Sequence, residues 1–152
     1  MATPSLALVP SGYKAGKLYS VLPTPVYGAE EVTNGDFATD TDWIKASGVT
    51  ISGGLANADA TASGNILRQS LTTLNASILY KYEFTISNYV SGNIKFSSFG
   101  GSVNANANGT HTAYGYPSDV SNMVLFGTFE GSIDNVSISE VPTVESLECV
   151  TT

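Results

Sequence analysis

The chain has 152 residues, of which 42% are hydrophobic and only 12% charged, with 6 basic and 13 acidic side chains for a formal charge of −7. That length fits one modest domain with extras, and the apolar fraction suffices for a core. The acidic balance excludes a nucleic-acid binder, which needs clustered Lys and Arg against phosphate. Ser, Thr, Asn and Gly fill the surface in place of charge, which suits extracellular or particle-borne β proteins better than cytosolic enzymes.

The opening "MATPSLALVPSGYKAGKLYSVLP" lacks the order of a secretory signal, because nothing basic precedes its apolar run and "LALV" stops at Pro10. No run approaches the about 20 apolar residues of a membrane-spanning helix, so no membrane insertion is expected. Four prolines and two glycines up to Pro25 argue against helix. Leu6, Leu8, Val9, Tyr13, Leu18 and Tyr19 still need burial, and Lys14 and Lys17 add charge of the opposite sign to the rest. Of the 6 basic residues these are two, so the other four face all 13 acidic ones in residues 29–152. Residues 1–28 therefore read as an extended arm that packs against another chain, with an extra edge strand of the domain's own sheet as the alternative.

From residue 29 onward, alternation of apolar and polar residues dominates. In "ILYKYEFTIS", Ile78, Tyr80, Tyr82, Phe84 and Ile86 share one face, which predicts a half-buried strand with an aromatic core side. "NIKFSSF", "HTAYGY" and "NMVLFGTFE" predict further strands, and "WIKA", "VTIS", "GLANA" and "NILRQSL" shorter ones, with "SGG", "SGN" and "PSD" as turns. In "GSIDNVSISEV", Ile133 breaks step with Val136 and Ile138, so a bulge at Asp134–Asn135 is needed to bury all three. About eight or nine short strands indicate an all-β, antiparallel jelly-roll sandwich over residues 29–141. Residues 142–152 form a C-terminal tail without a core pattern, and its lone Cys149 allows no internal disulfide.

"VTNGDFATDTDW" and "GSIDNVSISEV" resemble the boundary motifs of carbohydrate-binding modules of the family 4/9 type, jelly rolls of the galactose-binding-like group. The resemblance covers roughly residues 30–141. It implies a structural calcium ion near Asn34, Asp36 and Asp134, although this chain has Ala38 where the family carries an acidic residue. A hydrogen-bonded Asp134 in an ordinary bulge is the alternative. The first 23 residues resemble the N-terminal segment of tailed-phage virion proteins, especially head and tail fibres. That resemblance implies a virion location, anchoring to other capsid or tail proteins, and a homo-oligomer with a trimer favoured over a dimer.

Catalysis finds no support. His111 is the single histidine, no GxSxG elbow is present, and one imidazole with a distant Cys149 makes no zinc set. Asp40 and Asp42 sit too close together in a polar turn for glycoside hydrolysis. No cofactor is required by any motif. Tyr89, Tyr114 and Tyr116 are the candidate platforms for a sugar ring, with strand packing as their alternative, and Trp43 reads as core. The expected function is thus a structural virion protein, a capsid or tail fibre or decoration component that displays its sandwich for adsorption to a host surface glycan. The alternatives are a carbohydrate-binding module of an adhesin or glycan-active protein, and a secreted adhesin fragment.

Overall fold

The computed structural model describes residues 10–14, 17–20, 26–101 and 104–142. The chain divides into two compact units, one of Met1–Tyr27 with Pro142–Thr152 and one of Gly28–Val141.

In the first unit, β1 (Pro10–Lys14) and β2 (Lys17–Ser20) form an antiparallel two-stranded sheet of their own. The segment read as an extended arm is thus a β-hairpin over these residues. Tyr13 stands opposite Leu18, Lys14 opposite Lys17, and Gly12 opposite Tyr19. Leu6, Leu8 and Val9 lie outside the described residues, as does Cys149.

The second unit is all-β, and every strand pairing in it is antiparallel. Its strands are β3 (Ile44–Lys45), β4 (Val49–Ser52), β5 (Leu55–Ala58), β6 (Ser63–Ser70), β7 (Tyr80–Phe96), β8 (Gly109–Gly115) and β9 (Asn122–Glu140). The expected short strands "ILYKYEFTIS" and "NIKFSSF" are one strand of 17 residues, β7. "NMVLFGTFE" and "GSIDNVSISEV" likewise run together as the 19 residues of β9. "NYVSG", which reads as a turn, is a bend within β7, where the register against β9 shifts between Ser87 and Ser91.

That bend makes the sandwich. Tyr82 and Phe96 belong to the same strand and would lie about 46 Å apart if it were straight at about 3.3 Å per residue. Their ring centroids are instead 4.9 Å apart, because β7 folds its second half over its first. Asn88 (φ 50) and Gly92 (φ 84) supply the left-handed backbone of the bend. The first half of β7 pairs with β8 and with the end of β9, which also carries β5 and then β4. Its second half pairs with the start of β9, which carries β6 and then β3.

The inner faces of both halves close on one core. Tyr80, Tyr82, Phe84 and Ile86 are all at most 2% exposed, as the alternation of β7 predicts. Phe96 and Phe99 complete an aromatic cluster with Tyr82 and Phe84. Burial raises the pKa of the Tyr82 phenol, whose hydroxyl donates to the Gly100 carbonyl at 2.9 Å. In β9 the register shift opposite Glu83–Thr85 falls at Asn135 (φ 50), and Ile133, Val136 and Ile138 are all buried. The bulge expected from the broken alternation is therefore present and turns three out-of-step side chains inward.

Candidate functional site

The loop ahead of β3 is held by its own side chains. Asn34 (φ 53) donates through Nδ2 to the carbonyls of Thr39 (2.8 Å) and Thr41 (3.0 Å), and its Oδ1 accepts the Thr39 N–H at 3.2 Å. The Trp43 indole donates to the Asn34 carbonyl at 2.9 Å, and its ring packs on Phe37 with centroids 5.1 Å apart. Trp43 is buried, in keeping with its reading as core.

The two boundary motifs meet in space. The Val136 N–H donates to the Gly35 carbonyl at 2.9 Å. A Cβ at Gly35 would stand 2.0 Å from the Val136 carbonyl oxygen, so only glycine allows this approach. Of the residues read as calcium ligands, Asn34 spends its side-chain amide on Thr39 and Thr41. Asp36 accepts the Ala38 N–H at 3.3 Å, and Asp134 accepts the backbone and side-chain N–H groups of Asn135. Among the described residues no three His, Cys, Asp or Glu side chains gather as a metal-binding group.

The three tyrosines are not brought together. Tyr114 and Tyr116 lie at the end of β8 that pairs with the start of β7, and they are 50% and 55% exposed. Tyr89 lies at the bend, beyond the other end of β8. It is half-buried, its ring packs toward Phe129 at 6.3 Å, and its hydroxyl donates to the Gly92 carbonyl at 3.0 Å. Its geometry serves the bend. His111 leans on Phe84 at 5.6 Å, and its Nε2 is 2.9 Å from the Ala107 carbonyl oxygen.

The outer face around β8 is a hydroxyl-rich surface. Thr85 and Thr110 share a hydrogen bond of 3.0 Å, and Thr112 donates to Glu83 at 3.0 Å. Lys81, opposite Tyr114, forms an ion pair with Glu83 at 2.7 Å. Such a surface, with two exposed aromatic rings at its end, offers both the apolar contact and the hydrogen-bonding groups that a sugar uses.

Sequence reasoning missed a concavity. Thr33, Asp42, Ile44, Gln69 and Ser70 line a cleft of about 220 Å³ where the entry loop and β3 meet β6. Asp42 was visible only as a turn acid, and Gln69 as a polar residue in a short strand. The available signal was Gln69 itself, a long amide at a position where β6 turns inward among Ile66 and Leu67. Comparison with protein families finds no family that matches this chain, and none of the curated proteins compared with it matches either.

Proposed function

We propose that the protein is a structural virion component of a capsid or tail, attached through residues 1–28 and displaying its sandwich toward a host surface glycan. One observation carries this. Among the described residues β1 and β2 pair with each other, and the core of the sandwich runs from Val32 to Ile138. A segment with its own strand pairing can bind a second protein without opening that core. Its two lysines, set against an acidic remainder, give it a separate electrostatic character.

The displayed form is a homo-oligomer, with a trimer favoured. A single short segment loses ordering entropy on docking, whereas several joined copies raise the local concentration and strengthen the hold by about 10²–10⁴. A second reading, a carbohydrate-binding module of an adhesin or glycan-active protein, is favoured by the exposed rings of Tyr114 and Tyr116 beside the hydroxyl-rich face.

Deletion of residues 1–28 tests the attachment. The shortened chain is expected to unfold at the same denaturant midpoint as the full chain, and to be absent from purified particles. Normal incorporation of the shortened chain would contradict the proposal.

A further inference from the structure

We infer that the cleft between the entry loop and β6 binds a neutral, polyhydroxylated ring the size of one pyranose. The inference builds on the glycan-display reading but places the contact away from Tyr89, Tyr114 and Tyr116.

The cleft is built around a buried amide. Gln69 is only 5% exposed, and its side chain ties the two walls together. Nε2 donates to the Thr33 carbonyl at 2.8 Å and to the Asp42 carbonyl at 3.3 Å, while Oε1 accepts the Thr33 N–H at 2.8 Å. Thr33 and Asp42 are therefore held at fixed positions before any ligand arrives, which lowers the ordering cost of binding. Asp42 has a left-handed backbone (φ 68), a conformation that Asp tolerates better than most residues.

Chemistry then selects the ligand. Asp42 Oδ2 accepts the Thr41 hydroxyl at 2.6 Å. An ionised carboxylate only accepts hydrogen bonds, so it suits adjacent hydroxyl donors and repels an anion. Thr33 and Ser70 complete the polar lining. Ile44, 52% exposed, gives the apolar wall on which the C–H face of a sugar ring can rest. Arg68 stands opposite Ile44 across the β3–β6 pairing but does not line the cleft, so Asp42 is the charged group that a ligand there meets. Sites for drug-sized ligands run about 300–1,000 Å³. At about 220 Å³ the cleft takes a single ring, the terminal sugar of a glycan or a free cyclitol.

The test is an amide NMR titration of the full chain with four probes: methyl glucoside, methyl galactoside, myo-inositol and glucuronate. Saturable shifts confined to Thr33, Asp42, Ile44, Gln69 and Ser70 are expected with at least one neutral probe, and none with glucuronate. A glycoside without inositol points to a glycan terminus, and inositol alone to a free cyclitol. Asp42→Asn keeps the backbone conformation and should weaken binding about tenfold or more, the size expected for a charge-assisted hydrogen bond. Ile44→Ser, at an exposed position, should weaken it several-fold. No shifts with any neutral probe, shifts centred on Tyr114 and Tyr116, or unchanged affinity in both variants would overturn the inference. Particle incorporation is read separately, so attachment can stand while the cleft fails.

Discussion

Phe84→Ala should destabilise the protein by about 3–5 kcal/mol, a large part of the about 5–15 kcal/mol by which folded domains are stable. Phe84 is 2% exposed and stands in the middle of β7. Its ring packs edge-on to Phe96 at 5.4 Å and against His111 at 5.6 Å. Removing it deletes contacts to the second half of the bent strand and to β8 at once. The neighbouring void, lined by Tyr82, Phe84, Phe96, His111, Thr112 and Ala113, holds only about 10 Å³, so the site already packs closely and truncation adds new cavity. Urea unfolding measures the effect, and a loss below about 1 kcal/mol would contradict the packing of the two halves through this ring.

Gly92→Ala should be at least as damaging, at about 4 kcal/mol or more, because two costs coincide. At φ 84 any L side chain is strained by about 1–2 kcal/mol. A Cβ there would also stand 2.0 Å from the Thr128 carbonyl oxygen and 3.1 Å from the Phe129 Cα, both backbone atoms of the paired strand. β7 and β9 would have to separate where both change from one half of the sandwich to the other. Gly53→Ala is the control, since it has a similar left-handed backbone (φ 63) and nothing within 4 Å of its Cβ. It should cost only the backbone part. Equal losses in the two variants would show that the close approach at the bend is wrong.

The fold class was legible because strand alternation is a local property. Tyr80, Tyr82, Phe84 and Ile86 announce their face from the sequence alone, and the clash of step among Ile133, Val136 and Ile138 announces the bulge. Strand continuity was not legible. "NYVSG" has the composition of a turn, and only its pairing with β9 shows that the chain bends there without reversing. The hairpin of β1 and β2 was equally hidden, since glycines and prolines argue against helix without saying which extended segments pair.

The surface was harder to read than the core. Tyr114 and Tyr116 are exposed, whereas Tyr89 turns its ring toward Phe129 and its hydroxyl onto the local backbone. The motif residues Asn34 and Gly35 have structural work, pinning the entry loop and meeting the bulge of β9. Gln69 draws Thr33 and Asp42 together from separate points in the chain. Such a cleft depends on long-range pairing, which no local pattern encodes.

A cryo-EM map of the native particle tests the central claim most directly. It should show residues 1–28 seated on another virion protein, with the sandwiches of residues 29–141 clustered in threes and projecting outward. A map in which the sandwich itself is embedded in the particle shell, with residues 1–28 touching no other protein, would contradict attachment through the N-terminal segment.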